Sequence, residues 1–358
     1  MPYVRLLKFA DRCLGSALVR LLPRPSAMDG VEMAPRSILL IRPGGIGDAV
    51  LLVPAIQALK EHFPEASIDI LAERRNAGVF ALCPGLRHVY HYDRPGQLLR
   101  VLRNRYDVVI DSEQWHRLSA VVARVVRAPV KIGFSTNQRH RLFTHAISYA
   151  LEDYEANSFL RLVEPLGISA ALPPVPWLFV PDLARETVAK LMPAEDPSPL
   201  VIIFPGASIP EKRWGEDRFR EVVKWCAEQS FKVVLIGGAG EEEVAGRIAG
   251  ADVVNLVGMT SLVETAAVLG RAAVVVSGDS GVLHIAAGLG RPTVSLFGPS
   301  SATKWGPRGD RHLVLRPTNC PDCSRFGTTP PCPHNGRCMQ EIGVEEVTAA
   351  ISASIMSN

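Results

Sequence analysis

Asp48 ends a glycine-rich turn, Arg42-Pro-Gly-Gly-Ile-Gly-Asp48, at the point where a short apolar run gives way to a helical pattern. Gly44, Gly45 and Gly47 let the backbone approach a ligand closely and start a helix tightly. A carboxylate at the carboxyl end of a strand, opening a helix, reads either as a catalytic group or as a helix cap. The glycines do not follow G-x-G-x-x-G, so the dinucleotide-binding fingerprint is absent.

The second half of the chain carries a different chemistry. Ser-Gly-Asp-Ser-Gly-Val-Leu-His, residues 277–284, follows an apolar run and opens a helix. Free backbone N–H groups and the helix dipole there favour an anion, and a diphosphate fits. The alternative is a capped helix start, with His284 packed in the core. In Phe204-Pro-Gly-Ala-Ser-Ile-Pro-Glu-Lys-Arg-Trp214, Lys212 and Arg213 can neutralise phosphate charge and Ser208 can hydrogen-bond it, unless the pair is simply solvated. One carboxylate of Gly-Gly-Ala-Gly-Glu-Glu-Glu, residues 237–243, can hold a ribose diol, although acidic residues at a helix start need no ligand.

Cys320, Cys323, Cys332 and Cys338 lie in a loop rich in proline. Their spacing suggests a tetrahedral zinc or iron site, with His334 a substitute ligand; reduced thiols or a disulfide are the alternatives. Cys13, Cys83 and Cys226 are scattered and read as small hydrophobes. No export signal is apparent, so a reducing cytosol without structural disulfides is expected.

These residues need a frame. Residues 37–42, 67–72 and 107–111 read as buried strands, each followed by apolar residues at helical spacing. Residues 168–182 hold Pro173, Pro174, Pro176 and Pro181 and break the pattern. A second series follows at 200–205, 232–238, 252–258, 272–279 and 292–298, with a helix over 214–229. Alternation of this kind means parallel sheets and an α/β class. The organisation expected is an N-terminal extension (1–35), a Rossmann-like domain (36–170), a linker (171–185) and a second Rossmann-like domain (186–358), with ligands in a cleft between them.

The 358 residues carry a net charge of +3, too small to argue for nucleic acid. No apolar run is long enough to span a bilayer. The first 25 residues hold Arg5, Lys8, Arg12, Arg20 and Arg24 against Asp11 alone. Leu7, Ala10, Leu14, Ala17, Leu18 and Leu21 recur at helical spacing. The segment reads as a basic amphipathic helix on an anionic membrane surface, as a helix packed on the protein body, or as a disordered extension.

The motifs ILLIRPGGIGDAVLLVPAIQALKEHFP, PGASIPEKRWGEDRF, VVLIGGAGEEE, LVGMTSL and VVSGDSGVLHIAAGLGRPTVSLFGPS, in this order, together resemble glycosyltransferase family 9, the lipopolysaccharide heptosyltransferase family of GT-B fold. The resemblance runs from about residue 37 to 350. It implies an inverting transfer from an ADP-heptose-like donor to a lipid-linked or lipopolysaccharide core acceptor, at the inner face of the cytoplasmic membrane, with no cofactor required. By position it makes Asp48 the general base, with Gly44, Gly45 and Gly47 on the acceptor side. Ser208 and Lys212 would hold the donor phosphates, Glu241 the ribose and Met259 the adenine. Asp279 would bind hydroxyls of the sugar, and Ser280, Gly281 and His284 would line the phosphate site. Arg117, Arg139 and Arg141 are candidate anion contacts on the acceptor side, without a motif match. The four-cysteine loop resembles a feature of relatives that glycosylate autotransporter proteins. The rival readings are a sugar-nucleotide epimerase and a non-catalytic envelope-assembly protein of the same fold.

Overall fold

Runs such as Ser37-Ile-Leu-Leu-Ile-Arg42 place successive side chains on opposite faces, so burial of nearly every residue means a sheet covered on both sides. The computed structural model describes residues 9, 11–25, 34–192, 197–250, 252–318, 320–326, 328–330, 332 and 337–357. The chain divides into two units, residues 1–173 and 174–358. The expected linker, 171–185, contains that division and the start of a helix.

In the first unit, helix α1 (Ser16–Leu21) precedes strand β1 (Ser37–Arg42), and helix α2 (Ile46–His62) follows it. Then come β2 (Ser67–Ala72), β3 (His88–His91), α3 (Pro95–Arg103), β4 (Val108–Asp111), α4 (Arg117–Val125), β5 (Val130–Phe134), β6 (His145–Ile147) and α5 (Glu155–Leu160). All strand pairs are parallel, in the order β3-β2-β1-β4-β5-β6. The chain leaves β1 toward one edge and returns to β4 on its other side. The loops after β1 and β4 therefore flank a topological switch point, where side chains of an open parallel sheet are free to meet a ligand.

The second unit repeats the plan. Helix α6 (Asp182–Leu191) leads to β7 (Leu200–Phe204), α7 (Glu216–Glu228), β8 (Lys232–Leu235), α8 (Glu242–Ile248) and β9 (Val253–Asn255). Helix α9 (Leu262–Leu269), β10 (Val274–Gly278), α10 (Gly281–Gly288), β11 (Thr293–Leu296), β12 (His312–Leu315) and the C-terminal α11 (Val344–Met356) follow. The order β12-β11-β10-β7-β8-β9, again parallel, puts the switch point between β7 and β10. Two expected elements come out shorter. The strand at 252–258 keeps only Val253–Asn255. The helix at 214–229 begins at Glu216, because Trp214 is buried and donates Nε1–H to the Ile342 carbonyl.

The N-terminal segment is packed on the first unit. Residues Asp11–Gly15 form a wide helical turn leading into α1, and Val19 is fully buried in the core beside Ala120 and Ala123 of α4. Gly15 permits this approach, since a Cβ there would lie 3.0 Å from Arg117 Cβ. Asp11 Oδ1 accepts a 2.7 Å bond from Leu118 N–H and so caps the first turn of α4. Burial alone would raise the Asp11 carboxyl, but the bonds from His116 and Leu118 outweigh it and hold its pKa below the usual range. The expected leucine stripe faces away from this contact: Leu14 and Leu21 are 58% and 79% exposed. Leu7 and Ala10 lie outside the described residues. Asp11→Ala should lower the unfolding free energy by about 1 kcal/mol, the usual loss for an N-cap, read as a lower urea midpoint. An unchanged midpoint would show that α4 does not depend on this cap.

Candidate functional site

The first cluster stands at the switch point of the first sheet. After Arg42 the chain turns through Gly44, whose φ of 106° is a region that L side chains avoid, and α2 starts at Ile46. Asp48 is the third residue of α2 and is half-buried. Its carboxylate folds back so closely that a Cβ on Gly45 would lie 2.8 Å from Oδ2. Asp48 Oδ1 accepts a 2.8 Å bond from Gln114 Nε2, in the loop after β4. Oδ2 accepts no hydrogen bond among the described residues.

Arg42 holds the two loops together. Its buried guanidinium donates to the carbonyls of Pro43 (2.6 Å) and Ser112 (2.8 Å), and pairs with Glu113 at 3.1 Å. It also reaches Gln114 Oε1 at 3.3 Å. Burial would raise the Glu113 carboxyl, but Arg42, His116 and Arg139 outweigh it and keep the group ionised. Gln114 Nε2 further donates to Glu155 Oε1 at 2.7 Å, and Tyr149 donates its hydroxyl to Glu155 Oε2 at 2.8 Å. The Tyr149 hydroxyl is pushed well above its usual pKa, first by burial and then by the charges of Glu155 and Asp48.

The three arginines proposed as anion contacts differ in fate. Arg139 is fully buried against Asp111, 2.6 Å away, and also donates to the Glu113 carbonyl, so its charge is spent inside the unit. Arg117 donates Nε–H to the Asn137 carbonyl at 3.1 Å. Arg141 is half-buried, and its Nε has no acceptor among the described residues.

The second cluster occupies the carboxyl edge of the second sheet. Lys212, in the loop after β7, lies 2.5 Å from Asp279, which follows β10. Burial raises the Asp279 carboxyl, yet Lys212 and then His284 outweigh it and hold its pKa below the usual range. His284 is buried, with Nε2 3.9 Å from Asp279 and its ring edge-on to Trp305. The capped helix start and the packed histidine, the second reading of residues 277–284, are both present. Ser280 is the N-cap of α10, accepting from Leu283 N–H at 3.2 Å, and Gly281 is the first residue of that helix. Ser208 is exposed on the same loop as Lys212.

The neighbouring loops close around this edge. Glu241 Oε2 accepts from Gly238 N–H at 2.8 Å, which gives it the helix-start role that the sequence allows. A Cβ on Gly206 would lie 2.8 Å from Glu241 Cγ, so the loops after β7 and β8 are in contact. Met259 stands beyond β9, 59% exposed although apolar. The sequence reading missed Gln114, Tyr149 and Glu155. No motif marks them, and Gln114 and Glu155 are 41 residues apart in the chain.

The four loop cysteines carry no disulfide. Cys338 is buried, and its thiol is pushed up to about 11, first by burial and then by Cys320 and Cys332. Cys323 is raised likewise, by burial and by the same two thiols. Among the described residues, no group of three or more His, Cys, Asp or Glu is set to hold a metal ion. His334 lies outside those residues.

Two parallel six-stranded sheets, each with polar side chains converging at its switch point, make an α/β fold of the GT-B class. Residues 96–331 match the family described as glycosyltransferase family 9 (heptosyltransferase), and the chain belongs to it. That span includes Gln114, Lys212 and Asp279 and begins after Asp48. The chain is 28% identical over 286 residues to lipopolysaccharide heptosyltransferase 3 of Escherichia coli K12, covering 73% of this chain and 82% of that protein. Its fold is similar to that of E. coli ADP-heptose lps heptosyltransferase II (TM-score 0.73, 22% identity, 90% and 99% of the two chains). It is also similar to the iron-containing dodecameric glycosyltransferase TibC of enterotoxigenic E. coli (TM-score 0.60, 14% identity, 94% and 78%).

Proposed function

We propose that the protein transfers a heptose from an ADP-heptose-like donor to a lipopolysaccharide core or related envelope acceptor, inverting the anomeric centre. The observation that carries this reading is Asp48, held on one oxygen at the switch point of its sheet while the other oxygen is left for a substrate. In the reaction the acceptor oxygen bonds to the anomeric carbon as the bond from that carbon to the diphosphate breaks. The hydroxyl proton passes to Asp48 and the bonding pair leaves on the diphosphate. Lys212 would then stand against the growing negative charge, with Ser208 and the N–H groups at the start of α10 beside it. Asp279 would exchange its bond to Lys212 for hydroxyls of the sugar, Glu241 would take the ribose, and Met259 would cover the adenine.

Two further readings accompany this. Phe9, Leu14 and Leu21 are exposed on the N-terminal segment together with Arg12, Arg20 and Arg24. Apolar groups ringed by cations suit the anionic inner face of the cytoplasmic membrane. No described helix is long and apolar enough to cross a membrane. Cys320, Cys323, Cys332 and Cys338 would hold a structural zinc or iron. The spacing of the four thiols supports this, while among the described residues they are not gathered into a ligand group. The transfer step does not use the metal.

The decisive experiment measures turnover with ADP-heptose and lipopolysaccharide from a heptose-deficient strain, and ADP affinity by calorimetry. Asp48→Asn should lower kcat by roughly 100-fold or more, the scale of general-base catalysis, with ADP affinity unchanged. Lys212→Ala should raise the donor KM and lower kcat. Absence of ADP binding in the wild-type protein would sink the enzyme reading, and turnover of Asp48→Asn above about a tenth of wild type would remove Asp48 as the base. Elemental analysis of freshly reduced protein should find about one zinc or iron per chain, the stoichiometry of a four-thiolate site; a metal-free, fully folded protein would refute it. Leu14→Ser with Leu21→Ser should reduce co-sedimentation with anionic vesicles. Equal sedimentation of this variant and wild type would exclude the membrane face.

A further inference from the structure

Gln114 spends both of its amide hydrogens on carboxylates. One goes to Asp48 Oδ1 at 2.8 Å and the other to Glu155 Oε1 at 2.7 Å. Its carbonyl oxygen faces Arg42, with Nη1 at 3.4 Å and Nη2 at 3.3 Å. A side-chain amide can rotate by half a turn and exchange its donor for its acceptor end. Here rotation would turn oxygen toward two carboxylates and N–H toward a guanidinium, so one orientation is fixed. Glu155 supports it from behind. It is fully buried, and its second oxygen takes the Tyr149 hydroxyl at 2.8 Å. Tyr149 in turn packs edge-on against Phe134 of β5, with ring centroids 4.9 Å apart. The chain Phe134, Tyr149, Glu155, Gln114, Asp48 thus runs from the sheet core to the switch point.

We infer that Gln114, clamped between Glu155 and Arg42, is the positioning residue that fixes Asp48 and selects Oδ2 as the oxygen that takes the acceptor proton. The inference rests on the reading of Asp48 as the base. A carboxylate has two nearly equivalent oxygens, and a base free to rotate spends most of its time misaimed. Holding Oδ1 removes that freedom and leaves Oδ2 for the acceptor hydroxyl. A buried glutamate serves the clamp better than a neutral acceptor because charge-assisted hydrogen bonds are shorter and stronger. Glu155 touches no substrate in this scheme. It acts through the amide alone.

The test uses the full chain, with ADP-heptose and heptose-deficient lipopolysaccharide as substrates. Gln114→Met keeps the length of the side chain and removes both donors. It should lower kcat by roughly 10- to 100-fold, the scale of a misplaced reacting group, with donor KM and ADP affinity unchanged. Combined with Asp48→Asn it should cause no further fall, because a positioning residue has nothing left to position. Tyr149→Phe keeps the ring packing and should lower kcat by roughly two- to tenfold, the worth of one hydrogen bond. This milder variant decides the matter if Gln114→Met fails to fold. Wild-type kcat in Gln114→Met, or in a folded Tyr149→Phe where Gln114→Met does not fold, with Asp48→Asn inactive, overturns the positioning role and leaves the base reading intact. An active Asp48→Asn overturns both. An equal fall from Gln114→Met in the wild-type and Asp48→Asn backgrounds shows an effect that does not pass through Asp48, and overturns the inference alone.

Discussion

Arg42 is a cation with almost no access to water, at the end of a strand in which the four residues before it, Ile38 to Ile41, are apolar. Such a charge is tolerable only if its donors are met. The Pro43 carbonyl, the Ser112 carbonyl, the Glu113 carboxylate and the Gln114 carbonyl meet them. Three of these groups come from the consecutive residues Ser112, Glu113 and Gln114 after β4, so satisfying the arginine sets the path of that loop. The loop in turn delivers Gln114 to Asp48. Asn76, buried in the loop after β2, adds a bond to the Arg42 carbonyl at 3.1 Å. Three loops at the carboxyl edge are thereby fixed by the surroundings of one residue, and the free oxygen of Asp48 is what they leave over.

The second unit meets a similar demand with a shorter device. Asp279 and Lys212 lie close together at the carboxyl edge, each largely removed from water, and each is the other's counter-ion. On the proposed reading a ligand bearing phosphates would offer Lys212 a different anion. The change would be an exchange of partners and not the desolvation of a bare ammonium, so much of the dehydration cost would already be met by the fold. His284 stays behind the pair as a packed side chain, against Trp305.

The sheet was legible because parallel strands buried on both faces leave predominantly apolar runs, as at 37–42, 200–204, 274–278 and, interrupted by Asp69, 67–72. Loop residues that sit beside glycines, such as Asp48 and Asp279, stand out from local spacing as candidates, while the roles proposed for them come from the family resemblance. Gln114, Tyr149 and Glu155 do not stand out, because their meaning lies in contacts with residues up to 66 positions away. Arg139 was read as available charge because composition does not reveal burial, and Asp111 had already taken it. In the N-terminal segment the leucine pattern suggested one face and packing used another: Asp11 and Gly15 carry no apolar signal, and Val19 is a lone apolar residue outside the leucine stripe.

The Asp11 cap also bears on the order in which the first unit is made. The carboxylate that closes the amino end of α4 lies 107 residues ahead of the N–H it accepts from. During synthesis Val19 emerges first, and its covering residues on α4 and in the turn Thr136–Leu142 come last. The segment therefore stays undocked until nearly the whole sheet exists, and closing so long a loop is an entropic step that local helix formation does not meet. Docking of Asp11–Leu21 thus waits for α4 and the turn Thr136–Leu142 beneath it.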